Sequence, residues 1–147
     1  MHDLSSPLSI KLSIPSEFGY ECVVREAVAS FARRIGIASE RVEDLKTAVS
    51  EACLNAIEHG NAHMPGMRID VNCVWENDVL MVRVIDQGLK RYAGHVAPCI
   101  ECKVQGEAPL RGMGLFLIAQ LVDTCGFESS PDGGNVWYMS MRTRAMA

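Results

Sequence analysis

Glu51, Asn55 and His59 recur every fourth residue in EACLNAIEHGN, residues 51–61, where the other positions are mostly small or apolar. On an α-helix, residues at i, i+4 and i+8 stay near one face, so these three would form a polar line. A carboxylate there could take a proton from a nucleophile, and an amide oxygen suits Mg²⁺. The spacing alone is equally compatible with a solvent-facing strip. His59 could be a hydrogen-bonding element of the site, or equally a helix C-terminal charge without chemistry.

Two further elements could bind parts of a nucleotide. The run VIDQG ends a strand-like segment in Asp86, whose carboxylate could accept a hydrogen bond from an amine such as that of adenine, while Gly88 would let the chain pass close to a ring. Downstream, Gly112 and Gly114 open a helix-like run where backbone N–H groups favour an anion, and Arg111 would add positive charge. Each element alone is common, and the run matches neither a Walker loop nor a complete dinucleotide-binding fingerprint.

Bulk composition narrows the class of protein. The chain has 147 residues, of which 48% are hydrophobic and 22% charged, and its net charge is −4 at pH 7. These values indicate a soluble globular protein without a basic field for nucleic acid or an anionic membrane. No apolar run reaches the roughly 18 residues that span a bilayer, and the first residues lack the features of a secretory signal. We therefore expect a single domain over residues 1–147, in the cytoplasm, without direct contact to nucleic acid or membrane.

Six cysteines would permit disulfides, but a chain of this length can bury a core without them, so we expect mostly buried, free thiols. Cys99 and Cys102 form a CxxC pair near His95. A structural zinc site usually needs a second pair or further histidines, and no fourth ligand is evident. A thiol-responsive or metal-responsive regulator is therefore a minor alternative.

Periodicity predicts the elements that position these residues. Residues 8–14 alternate between apolar and polar side chains, which is typical of a half-buried strand. Ser16 is expected to cap a helix that reaches about Ile35. Ser39 is expected to cap a second helix that runs to His59 and carries the polar line.

The second half of the chain reads as two hairpins around a loop and a helix. Residues 67–76 and 79–85 are strand-like, a stretch without a clear period follows from Asp86 to about Gly112, and a helix is expected from Gly114 to Asp123. Two strands around the turn PDGG end the chain. This order predicts an α+β protein, a two-layer α/β sandwich with helices on one face of a mixed, mainly antiparallel sheet.

The order of these features resembles the histidine-kinase-like (GHKL) ATPase superfamily. Within it, the chain is most similar to the bacterial anti-sigma factors that are serine/threonine protein kinases. The motif ExxxNAxxHGN at residues 51–61 and the run G-x-G-L-x-L-I-x-x-L-x-D at residues 112–123 are typical of that branch. The likeness covers nearly the whole chain and implies a Bergerat-type ATPase fold.

The resemblance also implies a role for each matched residue. Glu51 would be the general base that activates a serine hydroxyl, Asn55 the Mg²⁺ ligand, and Asp86 the carboxylate that reads adenine. Gly88 would lie beside the base, and residues 89–111 would form the ATP lid. The other ATP-binding positions implied are Arg111, Gly112, Met113, Gly114 and Leu115.

Partners and cofactors follow from the same resemblance. Family members hold a sigma factor inactive and phosphorylate an anti-anti-sigma antagonist of the STAS type, which then releases them. Many are dimers. The resemblance therefore implies ATP and Mg²⁺, these two protein partners, a homodimer and a bacterial cytoplasm.

Two departures from the family pattern affect the nucleotide site. Lys90 stands where the motif Asp-x-Gly-x-Gly has its second glycine, and it could reach phosphate or narrow the pocket. Asn135 stands where a threonine often helps to hold adenine, and it could substitute as a hydrogen-bonding group. The CxxC pair in the lid is a third unusual feature. The alternative is thus a catalytically inactive module that sequesters a partner and binds nucleotide weakly or not at all.

Overall fold

The computed structural model describes residues 7–61, 64–88, 112–129 and 133–143. Within these ranges the order is strand, two helices, two strands, helix, two strands, which confirms the predicted order. The strands are β1 (Leu8–Pro15), β2 (Arg68–Glu76), β3 (Val79–Ile85), β4 (Thr124–Ser129) and β5 (Asn135–Arg142). The helices are α1 (Glu21–Arg34), α2 (Ser39–Asn55) and α3 (Gly112–Leu121), and a π-helical turn (Ala56–Gly60) continues α2.

The described strands form one sheet in the order β1-β2-β3-β5-β4, and each of its pairings is antiparallel. Asn77 and Asp78 form the two-residue loop between β2 and β3, with φ values of 53° and 63°. A type I′ hairpin turn requires positive φ at both positions, and asparagine and aspartate tolerate it best after glycine. β5 lies between β3 and β4, so the second hairpin joins the sheet through its last strand.

The helices cover one face of the sheet, and the core lies between the two layers. Alternate residues of the central strands are buried: Ile69, Val71, Cys73, Leu80, Val82 and Val84. Helix α2 packs against α1, α3 and β3, so it is the central helix. Its buried stripe consists of Val42, Leu45, Ala48, Val49, Ala52, Cys53 and Asn55. This arrangement confirms the predicted α+β, two-layer architecture.

The two predicted helix caps are wrong. Helix α1 begins at Glu21 with Tyr20 at its N-cap, and α2 has Ala38 at its N-cap; neither has a side-chain cap hydrogen bond. Ser16 lies in the loop before α1, where its buried hydroxyl accepts a hydrogen bond from the side chain of Asn61 at 3.0 Å. The buried amide of Asn61 needs a hydrogen-bond partner, and Ser16 supplies it. This tertiary contact outweighs the local preference of serine for a helix N-cap.

The cysteines in the described ranges are free, with Cys53 and Cys73 buried as expected. Burial raises the pKa of the Cys73 thiol to about 12, so this thiol is a packing group rather than a nucleophile. The predicted pair Cys99 and Cys102 lies outside the described residues. None of the helices in the described ranges has the length and apolar character that crossing a bilayer requires.

Candidate functional site

Helix α2 carries Glu51 and Asn55 one turn apart near its C-terminal end. Asn55 is 3% exposed and is the last α-helical residue, whereas Glu51 is half-buried. The solvent-facing interpretation therefore fails for Asn55, because a solvent strip would leave its amide in water. The small residues Ala52 and Ala56 beside it are fully buried.

Beyond Asn55 the helix widens into its π-helical turn. The N–H of Asn61 donates to the carbonyl of Ala56 at 2.8 Å, which spans five residues instead of four. The helix reaches His59 as predicted, but its last turn is not α-helical, so His59 leaves the strict i+4 spacing. The side chain of His59 is 25% exposed, and its Nε2 lies 4.0 Å from the carboxylate of Glu58. Turns of this kind are rare and occur frequently at functional sites.

Asp86 follows β3 and is only 2% exposed. Its Oδ1 accepts hydrogen bonds from the N–H of Gly88 at 2.7 Å and from the backbone N–H and side-chain amide of Asn135, each at 3.1 Å. Burial raises the pKa of the Asp86 carboxyl, and these hydrogen bonds oppose that rise. Within the described ranges, Oδ2 is approached by one donor, the side-chain amide of Asn135 at 3.4 Å.

Two glycines allow the surrounding backbone to close around this carboxylate. A Cβ added at Gly60 would overlap the Asp86 carboxylate, and one at Gly88 would overlap the carbonyl of Gly133. Gly88 has a φ of 72°, in the left-handed region that glycine enters freely. The end of the π-helical turn, the segment after β3 and the start of β5 therefore meet at one point. We call Gly60, Asp86, Gly88 and Asn135 the Asp86 cluster.

Asn61, for which the sequence predicts no role, is fully buried beside this cluster. Its Nδ2 donates to the hydroxyl of Ser16 at 3.0 Å and to the carbonyl of Arg68 at 3.1 Å, and its Oδ1 accepts the N–H of Gln87 at 2.8 Å. The side chain of Gln87 in turn accepts the N–H of Arg68 at 2.6 Å. In the sequence, Asn61 stands out only as the last residue of the motif at residues 51–61, directly after the glycine that ends the helix. Its partners are distant in sequence, so no local pattern reveals them.

The predicted phosphate-binding residues lie at the start of α3. This helix begins at Gly112 and ends at Leu121, two residues earlier at each end than predicted, so Gly112 and Gly114 lie in its first turn. Because α3 packs against α2, its first turn and the Glu51–Asn55 pair belong to neighbouring helices. The other predicted residues on this side lie outside the described part of the chain: Lys90, Arg111, the lid at residues 89–111, and the side chains of Met113 and Leu115.

The arrangement offers a carboxylate that can accept a hydrogen bond from an amine. The structure brings Asp86, Gly88 and Asn135 together, three residues that the sequence associates with the adenine side, and adds Gly60 to them. An ionised carboxylate with one oxygen saturated by three donors can offer its other oxygen to an external donor. The nearby helix α2 supplies a neutral amide oxygen at Asn55 and a carboxylate at Glu51.

Comparisons with known proteins identify relatives of the chain. A model of the histidine kinase-like ATPase domain matches residues 14–141. The chain is 33% identical over 118 residues to a serine-protein kinase RsbW of Bacillus cereus (strain AH820), an alignment that covers 78% of this chain and 73% of the relative. It is 35% identical over 121 residues to the serine-protein kinase RsbW of Bacillus thuringiensis (strain Al Hakam), with the same coverage.

A solved structure shows the same fold. The crystal structure of the RsbU and RsbW domains of a Mycobacterium tuberculosis protein superposes with a TM-score of 0.66 at 20% sequence identity. The superposition covers 92% of this chain but 32% of the mycobacterial chain, so the chain spans about a third of that protein. At this identity the likeness supports the fold alone.

Proposed function

We propose that this chain, which belongs to the histidine kinase-like ATPase domain family and within it to the RsbW serine-protein kinases, binds Mg-ATP and phosphorylates a serine of a partner protein. The Asp86 cluster is the observation that carries the proposal. A buried carboxylate with one saturated oxygen is suited to accept a hydrogen bond from the exocyclic amine of adenine, and guanine has a carbonyl at the corresponding place. Gly60 lets the end of the π-helical turn lie against the carboxylate, and Gly88 lets the chain after Asp86 pass against Gly133.

Mg²⁺ fits the residues on the neighbouring helix. Asn55 is 3% exposed and offers a neutral amide oxygen, and Mg²⁺ usually takes few protein ligands and keeps waters and substrate phosphates as the rest. Asn55 would therefore hold the ion. When bound, Mg²⁺ supplies charge neutralisation at the phosphates.

Phosphoryl transfer to a serine hydroxyl requires a proton acceptor, which this chain would supply. The half-buried carboxylate of Glu51 would take the proton of a serine hydroxyl from the partner. The serine oxygen forms a bond to the γ-phosphorus, the bond from that phosphorus to the β–γ bridging oxygen breaks, and ADP leaves. Backbone N–H groups at Gly112 and Gly114, in the first turn of α3, would bind phosphate oxygens.

Family membership supports the remaining parts of the proposal. We propose a sigma factor as the sequestered partner and an anti-anti-sigma protein of the STAS type as the phosphorylated antagonist. We also propose a homodimer in the bacterial cytoplasm, with residues 1–147 as one domain. The relatives carry the name serine-protein kinase, and the partners come from the resemblance described above.

The test combines nucleotide binding with phosphate transfer. Calorimetry should show Mg-ATP binding, and incubation with [γ-³²P]ATP and the STAS-type proteins encoded in the same genome should label a serine. Glu51→Ala should abolish labelling and keep binding. The matched control is Glu43→Ala, which removes an exposed glutamate of the same helix that pairs with Lys46 at 3.2 Å. A wild-type protein that binds no ATP at millimolar concentration would instead be a partner-sequestering module. Labelling that persists in Glu51→Ala would remove the assigned role of the base.

A further inference from the structure

Asn61 uses every polar group it has, although it takes no part in the chemistry proposed above. Its side chain makes the three hydrogen bonds already described, to Ser16, Arg68 and Gln87. Its backbone N–H donates to Ala56 at 2.8 Å, and its carbonyl accepts the N–H of Met64 at 3.0 Å. A side chain that is 0% exposed and uses both its donor and its acceptor holds its surroundings in one geometry, because any movement breaks at least one of these hydrogen bonds.

The bond to Gln87 acts directly on Asp86. The peptide between Asp86 and Gln87 is planar, so fixing its N–H also fixes its carbonyl. On the other side of this peptide, Gly134 lies so close to the Asp86 carbonyl that a Cβ there would overlap it. The preceding peptide is held too, because the N–H of Asp86 donates to the carbonyl of Asn135 at 3.0 Å. Both peptides that flank Asp86 are therefore fixed, one of them by Asn61.

We propose that Asn61 is a positioning residue that holds the Asp86 carboxylate in the orientation that recognises the base. The proposal rests on the proposed function, since it assigns Asn61 to the adenine side of that site. Asn61 acts through the backbone of Gln87 and touches neither base nor phosphate. The π-helical turn contributes to this positioning. Its hydrogen bond from the N–H of Asn61 to the carbonyl of Ala56 sets where the Asn61 side chain enters the core.

The test distinguishes an effect on binding of the base from an effect on binding of the phosphates. Asn61→Ala removes the acceptor of the Gln87 N–H and so frees the peptide next to Asp86, and the Kd for Mg-ATP should rise about tenfold. The Kd for Mg-tripolyphosphate, which has no base, should stay within about twofold of wild type because phosphate binding lies elsewhere. At saturating ATP, kcat should be unchanged. Equal weakening of Mg-ATP and Mg-tripolyphosphate, or unchanged Mg-ATP affinity in a folded variant, would overturn the proposal.

A readout without nucleotide keeps this test independent of the proposed function. Amide hydrogen exchange at Gln87 and Gly88 should accelerate in Asn61→Ala. Unchanged exchange would overturn the positioning role even if ATP binds, and accelerated exchange would support it even if wild type binds no ATP.

Two further variants complete the design. Ser16→Ala removes one partner of Asn61 but keeps its bond to Gln87, so a smaller acceleration is expected, and this variant decides the matter if Asn61→Ala does not fold. Asn72→Ala, a half-buried asparagine on β2, should leave exchange at Gln87 unchanged.

Discussion

Asn135 donates both its backbone N–H and its side-chain amide to the same oxygen of Asp86, each at 3.1 Å. The position is one of the departures from the family pattern, where a threonine is usual. The asparagine nevertheless supplies a hydrogen-bond donor to the carboxylate, so this departure alone gives no reason to expect loss of nucleotide binding. It thereby supports the proposal of an ATP-binding protein over that of a nucleotide-free module.

Removing the side chain of Asn135 should weaken nucleotide binding. Asn135→Ala deletes one donor to Asp86, and a hydrogen bond to a charged group contributes about 1.5–3 kcal/mol, so the Kd for Mg-ATP should rise at least tenfold. Asn135→Thr keeps a donor and should bind closer to wild type. Isothermal titration calorimetry measures both. An affinity in Asn135→Ala equal to that of wild type would show that the backbone donors suffice.

Asp86 should make stability depend on pH. Burial raises its pKa above the ordinary value of 3.8, so the folded chain holds this proton more tightly than the unfolded chain. The stabilising contribution of Asp86 is therefore complete below 3.8 and is lost as the pH rises through the raised pKa. Urea unfolding of wild type and Asp86→Asn across this interval should show wild type losing stability relative to the variant as pH rises. A constant difference between the two would contradict the raised pKa.

Nucleotide binding should depend on pH in the opposite direction. Only the ionised carboxylate of Asp86 is free to accept from the adenine amine without competing with its own proton. The Kd for Mg-ATP should therefore rise as the pH falls through the raised pKa of Asp86, while the Kd for Mg-tripolyphosphate should not follow that change. Calorimetry in buffers of matched ionic strength compares the two ligands. Parallel curves would assign the titration to the phosphates or to another group.

A methyl group at Gly60 should disturb the Asp86 cluster. The added Cβ overlaps the carboxylate, so Gly60→Ala should lose about 1–3 kcal/mol of unfolding free energy despite the better helix propensity of alanine. In an Asp86→Ala background the two overlapping carboxyl atoms are gone and only the Cβ of residue 86 remains, at 2.9 Å, so the penalty should shrink. Chemical denaturation of the two single variants and the double variant tests this coupling. Additive effects would mean that the two residues do not compete for space.

Asn55 should control the metal dependence of binding. Asn55→Ala removes the proposed ligand oxygen, so ATP affinity should become nearly the same with Mg²⁺ and with EDTA, whereas wild type should bind tighter with Mg²⁺. Asn72→Ala on β2 is the control and should retain the difference. Calorimetry under both conditions measures it. A Mg²⁺ effect of wild-type size in Asn55→Ala would exclude this residue as the ligand.

The sequence reveals most of the elements because their patterns are local. The alternation over residues 8–14 and the apolar run over residues 79–85 depend only on neighbours in the chain, and both strands are found where predicted. The placement of β5 beside β3 depends on pairing across more than 50 residues, for which a single sequence carries no period. The capping prediction at Ser16 failed for the same reason, because a partner 45 residues away decides the role of that serine.

In the site, too, the residues that belong to local patterns could be predicted, whereas contacts between distant residues could not. Asp86 and Gly88 are recognisable because the motif is contiguous, and Asn55 because helical spacing connects it to Glu51. Gly60 and Asn61 belong to the same motif as Glu51 and Asn55, yet their contacts with Asp86 and Gln87 form only when the chain folds. The π-helical turn could not be predicted either, because a single wide turn is too short to change the helical spacing of apolar residues in the sequence.

That turn also bears on the length of the chain. The hydrogen bond from Asn61 to Ala56 spans five residues, so a chain with one residue fewer between Ala56 and Gly60 would close it as a regular four-residue α-helical bond. Asn61 would then keep its place beside Gln87. The turn therefore contains one residue that a regular α-helix does not need, and it is the point where this helix can lose a residue without moving the Asp86 cluster.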